Sequence, residues 1–216
     1  MRNSKEKTVV VAMSGGVDSS VAAGILKEQG YNLIGITIKT YNYEDIGVQN
    51  EHSCCSLEGI NDARIVAAKL GFPHYVIDFT KEFYREVINY FIKEYLEGKT
   101  PNPCVICNRK IKWEALIRKA LSLGADYIAT GHYARIRFDE KSGRYILMRG
   151  VDASKDQSYA LWGLTQESLS RTIFPLGELT KLSIESSFEV SNKRPKVTSE
   201  IPIKFPGFGG LRSIID

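Results

Sequence analysis

Apolar runs and helically spaced segments alternate along the first half of the chain. Thr8–Met13 (TVVVAM) is a continuous, β-branched run and predicts a buried strand. Ser14-Gly15-Gly16 interrupts it, and Asp18–Gln29 then has helical spacing that ends at Gly30. Leu33–Ile38 predicts a second strand and Leu57–Leu70 a helix closed by Gly71. Pro73–Phe79 predicts a third strand and Glu82–Leu96 an amphipathic, aromatic-rich helix. A loop over Glu97–Pro103, a helix over Asn108–Leu123 and a strand over Asp126–Thr130 follow. This alternation predicts an α/β fold: a doubly wound, mostly parallel sheet with helices on both faces. Ligands of such sheets bind beyond the C-terminal strand ends, near the reversal of strand order. Arg135–Phe138 and Arg144–Arg149 predict a β-hairpin, and Lys155–Ser170 is expected to be partly helical. There is no internal repeat. Periodicity weakens after Lys181, so one ordered domain is expected over 1–181 and a loosely ordered tail over 182–216.

Two stretches carry chemistry. The first is SGGVDSS, Ser14 to Ser20, between a strand and a helix. Two glycines let the backbone approach an anion, and the helix start offers unpaired N–H groups and a positive dipole end. Ser14, Ser19 and Ser20 add hydroxyl donors. Asp18 is out of place in an anion site unless a divalent cation bridges it to phosphate, so the loop suits pyrophosphate with magnesium. No Gly-Lys-Ser/Thr follows, and the pattern is not GxGxxG. The plain alternative is a Gly-rich turn with a Ser/Asp helix cap. The buried strand before the loop and the VDSS after it weigh against that.

The second is TPNPCVICNRKIKW, Thr100 to Trp113, which holds Cys104 and Cys107. Arg109, Lys110 and Lys112 follow Cys107 near an expected helix start, a setting that favours the thiolate. Pro101 and Pro103 stiffen the approach. A zinc clip needs four ligands, usually two such pairs. The other pair, Cys54-Cys55, is adjacent, and His52, His74 and His132 show no ligand rhythm. An iron–sulfur cluster on Cys104, Cys107 and a third thiol would also serve sulfur chemistry. His132 is either a base or a structural residue just after a buried strand. Trp113, Phe83, Tyr84, Tyr90, Phe91 and Tyr95 could stack on bases, but their helical spacing favours core packing. The basic run Arg109–Lys112 reads as phosphate contacts or as a solvated face, and its place beside a thiol favours contacts.

Composition narrows the setting. The chain of 216 residues is 43% hydrophobic, with net charge +4 and four cysteines. No run reaches the roughly 20 apolar residues of a membrane span, and the short apolar run after MRNSKEK leads into the Gly loop. A cytoplasmic protein with reduced, metal-bound or catalytic cysteines is the expectation. Its mild basicity permits a nucleic-acid partner without requiring one.

VAMSGGVDSS resembles the PP-loop of ATP pyrophosphatases, which release pyrophosphate while adenylating a substrate. CCSLEGINDARIVAAKLGFPHYVIDF, EGKTPNPCVICNRKIKW, ADYIATGHYARI, RGVDASKDQSYAL and FPLGELTK together resemble the tRNA-specific 2-thiouridylases, in order, between Val9 and Lys181. The resemblance implies a PP-loop nucleotide-binding catalytic domain of the adenine nucleotide alpha hydrolase-like type. It implies ATP-dependent 2-thiolation of a tRNA wobble uridine through an adenylated uridine and a cysteine persulfide. ATP with magnesium would contact Ala12, Met13, Ser14, Gly15, Gly16, Val17, Asp18, Ser19, Ile38 and Gly131. Cys107 matches a catalytic thiol, and Cys104 matches a position held by Asp or Cys among relatives. Asn102, Pro103 and Cys104 would lie against the target base, and Lys155, Asp156 and Gln157 would face the tRNA. The implied partners are tRNA and a persulfide sulfur-donor protein, with no membrane.

The chain departs from that pattern after FPLGELTK. The family continues into a helix, a segment like K-P-x-S-Q-x-I-C-F with the second catalytic cysteine, and further β-rich domains. Here FEVSNKRPKVTSEIPIKF matches only in part, and no cysteine follows Cys107. A truncation or a shifted reading frame in the tail would account for this. Cys104, Cys54 or Cys55 would then stand in as second thiol. The alternative is a truncated, non-catalytic ATP- and tRNA-binding module. A third reading, another adenylating enzyme such as an amide-forming ligase, has no use for TPNPCVICN.

Overall fold

The computed structural model describes residues 7–41 and 56–187. His52, Cys54, Cys55 and the tail beyond 187 lie outside them.

Strand β1 (Thr8–Ala12) forms the middle of a five-stranded sheet. β2 (Asn32–Lys39) and β3 (His74–Asp78) extend it on one side, and β4 (Tyr127–Thr130) on the other, all parallel. The hairpin of β5 (Ala134–Asp139) and β6 (Arg144–Arg149) pairs apart from the sheet. The sheet closes with β7 (Thr172–Ile173), giving the order β3-β2-β1-β4-β7. The order reverses at β1 and β4, so a crevice is expected beyond Ala12 and Thr130.

β1 alternates between two cores. Val9 and Val11 pack with Leu33 and Ala129 against helices α1 (Val17–Glu28) and α2 (Leu57–Leu70), through Ala23, Leu26, Ala63 and Ala67. Val10 packs with Ile36 and Ile128 on the other face, against Ile111, Leu116 and Ala120. All three valines are fully buried, each contributing roughly 1.5–3 kcal/mol. Burial on both faces explains why this strand reads as a continuous apolar run.

The second face is built from two helical stretches, each with a π-helical segment. α3 (Thr80–Phe83) and α4 (Asn89–Leu96) flank the π segment Tyr84–Ile88. α5 (Pro103–Ile106) and α6 (Leu116–Ser122) flank the longer π segment Cys107–Ala115. The two π segments pack on each other. Such widened turns are rare and concentrate at functional sites.

The expected loop through Pro103 and helix from Asn108 need correcting, because the helix begins at Pro103. Asn102 caps it, its Oδ1 accepting from the backbone N–H of Cys104 at 3.0 Å and Val105 at 3.3 Å, and Pro103 fills the first helical position. A basic run with little apolar period follows Cys107, so the chain's hydrophobic pattern does not mark the true start. α7 (Gln166–Ser170) and a short 3-10 turn at Ser158–Ala160 form the partly helical stretch that was expected. Two elements left no signal. β7 is two residues long, too short for a period. α8 (Lys181–Ser187) begins where a loose tail was expected.

Candidate functional site

β1 ends at Ala12, and the chain turns through Ser14-Gly15-Gly16 into α1. Gly15 adopts φ 79°, the left-handed region. A Cβ there would run into the backbone carbonyl of Gly59, in the first turn of α2. That turn is held by Ser56, whose Oγ accepts from the Gly59 N–H at 3.1 Å. The SLEG block therefore presses against the phosphate-type loop.

Gly16 caps α1 without any side-chain hydrogen bond. The first N–H groups of α1 have no intrahelical acceptor and form a ready anion cradle. The serine hydroxyls also bond within the loop. Ser19 Oγ donates to the Gly16 carbonyl at 3.0 Å and accepts from the Ser14 N–H at 3.2 Å. Ser20 Oγ also donates to the Gly16 carbonyl at 3.0 Å. Both hydroxyls brace the loop itself.

Asp18 has two partners that the sequence reading did not identify. Its Oδ1 accepts from the Tyr133 hydroxyl at 2.9 Å and from Lys181 Nζ at 2.6 Å. Burial, then the bond to Asp18, raises the Tyr133 phenol above its ordinary range, so it remains a donor. Lys181 lies in the FPLGELTK block, but nothing local in that block links it to a loop 163 residues earlier. Its ammonium sets a positive charge of the chain's own against Asp18.

A cavity of about 250 Å³ opens beyond the ends of β1 and β4. Ala12, Met13, Ser14, Asp18, Ser19, Ile38 and Gly131 line it. Gln157 and Cys107 share the same walls. Gly131 is small of necessity: a Cβ would meet the Ser19 nitrogen and the Asp18 carbonyl carbon at 2.8 Å. Gly15, Gly16, Val17, Asn102, Pro103, Cys104, Lys155 and Asp156 are not among the lining residues.

Cys107 opens the long π segment, with Ile111 one turn on in the same wall. Buried neighbours fix this helix. Asn108 Nδ2 donates to the Ala160 carbonyl at 3.2 Å, and Trp113 Nε1 donates to Thr172 Oγ1 at 2.8 Å. Cys107 is half-buried, whereas Cys104 is exposed. Three residues apart on a helix, the two lie on one side of it. The basic run divides: Arg109 and Lys110 pair with Glu114 at 3.7 and 3.1 Å, and Lys112 reaches the cavity. Asp156 serves its own turn, accepting from the N–H groups of Gly150 and Ser158. Gln157 Oε1 accepts from the Tyr133 N–H at 3.1 Å. Trp113 is buried as core packing requires, while Tyr84 and Tyr95 are exposed.

His132 is a wall residue with a restrained side chain. Its Nδ1 lies 2.7 Å from Thr130 Oγ1, and its ring packs beside Trp113 and Phe174. Burial, and then the Lys112 charge, hold its pKa well below 6.5, so the folded chain keeps it neutral. The unfolded chain protonates it as pH falls through that ordinary value, so unfolding takes up a proton in acid. This stability is fully present above about pH 6.5 and is lost as pH falls toward the folded-state value. His74 shifts the same way, through burial and then Arg64. Thermal unfolding across about pH 7 to 5 is expected to show a falling Tm, and His132→Phe to flatten part of that fall. An unchanged slope in the variant refutes this account.

The residues 7–194 match the family model described as the tRNA methyl transferase HUP domain. The chain belongs to this family. The Gly-rich loop of this HUP domain lies at the reversal of its strand order. It is 56% identical over 184 residues to a tRNA-specific 2-thiouridylase MnmA of Cytophaga hutchinsonii, covering 85% of this chain and 50% of that relative. The MnmA of Salinibacter ruber is 57% identical, covering 84% of this chain and 48% of the relative. That of Heliobacterium modesticaldum is 59% identical, covering 83% and 46%. The HUP domain described here spans about half the length of the curated relatives it matches.

Proposed function

We propose that this chain carries the adenylating and sulfur-transferring centre of a tRNA-uridine 2-sulfurtransferase, with ATP and tRNA as substrates. The observation that supports this best is Cys107 in the wall of the cavity lined by Ser14, Asp18 and Ser19. An adenylating site alone would not need a cysteine there, whereas sulfur delivery to an adenylated base does.

In this reading the ATP phosphates lie on the uncapped start of α1, and Ile38 and Gly131 border the adenosine. Uridine O2 attacks the α-phosphorus and pyrophosphate leaves, its charge met by backbone N–H groups. The terminal sulfur of a Cys107 persulfide then attacks C2, and AMP leaves with O2. A second thiol attacks the Cys107 sulfur, forming a disulfide and releasing 2-thiouridine, and an external dithiol resets the pair. Cys104, one helical turn away, is the second thiol among the described residues. Asn102 and Pro103 shape the turn that carries it. Lys155, Asp156 and Gln157 line the approach of the tRNA, and a persulfide-bearing protein supplies the sulfur.

Among the described residues no three His, Cys, Asp or Glu gather to hold a metal ion. Cys104 and Cys107 therefore lack, among the described residues, the further ligands an iron–sulfur cluster needs. Magnesium fits differently, since it is commonly held by one carboxylate plus substrate phosphates, and Asp18 is that carboxylate. When bound it would neutralise phosphate charge.

The reading is tested by mass spectrometry of nucleosides from unmodified tRNA incubated with this chain, ATP, magnesium and a persulfide donor. A 2-thiouridine product is expected. A folded chain that binds ATP and tRNA but makes no product would instead be an ATP- and tRNA-binding module.

A further inference from the structure

Two large aromatic side chains are exposed beside the site. Tyr159 is 63% exposed and Trp162 is 71% exposed. Between them, Ala160 and Leu161 are buried at 6% and 1%. The segment is thus anchored at its middle, and the aromatics stand outward on fixed backbone. It rests directly on the thiol-bearing helix. Asn108, next to Cys107, donates to the Ala160 carbonyl at 3.2 Å. A Cβ on Gly163 would lie 3.3 Å from Arg109 Cδ. Gln157, two residues before Tyr159, shares the cavity wall with Cys107.

Two exposed basic side chains adjoin this segment. Lys155 precedes it and Arg109 lies against Gly163, both exposed, Arg109 also facing Glu114 at 3.7 Å. The nearby Asp156 carboxylate accepts from the Ser158 hydroxyl and the Gly150 N–H. An exposed tryptophan and tyrosine flanked by basic side chains match how single-stranded RNA is held, by stacking plus phosphate attraction. A protein partner would also cover such aromatics, but the basic flanks favour a polyanion.

We propose that Tyr159 and Trp162 form a stacking platform for the unpaired loop bases that flank the base entering the cavity. This rests on the tRNA reading above and deepens it. The platform lets one base be drawn from its stack toward Cys107 while its neighbours keep aromatic partners.

The probe is an RNA hairpin of an anticodon stem and loop, titrated into the full chain. Trp113 is 2% exposed and Trp162 is the other tryptophan, so a change in emission reports chiefly on Trp162. Quenching that saturates with RNA is expected. Trp162→Ala should weaken binding by about ten-fold or more, and Trp162→Phe should restore most of it. The penalty of Trp162→Ala should shrink against a hairpin with abasic sites in place of the flanking bases. Pyrophosphate release from ATP with free uridine should be unchanged, which separates the platform from the nucleotide site. Binding by Trp162→Ala within two-fold of the unaltered chain overturns the platform alone, as does a penalty of the same size on the abasic hairpin. Failure of the unaltered chain to bind the hairpin overturns the platform and the tRNA reading together.

Discussion

Cys107→Ser is expected to abolish 2-thiouridine formation, by at least about three orders of magnitude, while pyrophosphate release persists. The two steps use different groups. In the proposed mechanism, release of pyrophosphate depends on the start of α1 and the loop it closes. Sulfur transfer depends on a thiol that a serine hydroxyl cannot replace, because the hydroxyl carries no persulfide. Cys107 is half-buried and its helix is held by Asn108, Ile111 and Trp113, so the substitution should leave the wall in place. Nucleoside mass spectrometry and a pyrophosphate assay on one sample read both outcomes. Product from Cys107→Ser at the unaltered rate would remove Cys107 from the chemistry. Cys104→Ser provides the companion test: it should permit sulfur to reach the base and stall its release if Cys104 resolves the persulfide.

Gly15→Ala should damage both stability and nucleotide use. Gly15 sits at φ 79°, where a side chain costs about 1–2 kcal/mol. Its new methyl would also meet the Gly59 carbonyl, a backbone atom fixed in the first turn of α2. Relief requires the loop or α2 to move, adding about 1–3 kcal/mol. A shift of the loop by an ångström would lower pyrophosphate release by about a hundred-fold. Gly124 is the control. It has φ 77° with nothing within 4 Å of its Cβ position, so Gly124→Ala should show the backbone strain alone. Urea unfolding of the two variants separates strain from collision. Equal losses in both would show that contact with α2 contributes nothing.

The parts of the fold most legible in the sequence are those where a short-range pattern and the tertiary environment agree. β1 is buried on both faces, so its apolar run could not be mistaken for a half-exposed strand. α2 matches its expected span, Leu57 to Leu70, because Ser56 caps one end and Gly71 closes the other at φ 70°. The helix holding the thiols was misread at its start because the Asn102 cap and Pro103 precede a basic segment with little apolar period. β7 was missed because its two residues acquire strand character only by pairing with β4.

The site divides along the same line. The Gly-Gly turn before α1 is legible along the chain, because Gly15 and the start of α1 act through local backbone geometry. The thiol pair on a basic helix and the α/β class are legible in the same way. Which of these groups meet is a matter of packing. Cys107 reaches the cavity because its helix packs on the face of the sheet opposite α1 and runs to the same strand ends. Asp18 finds Tyr133 and Lys181, 115 and 163 residues away, because β4 and α8 converge on the start of α1. Spacing along a chain reports on neighbours within a turn or a strand. Contacts across such separations arise only from packing, and no local pattern records them.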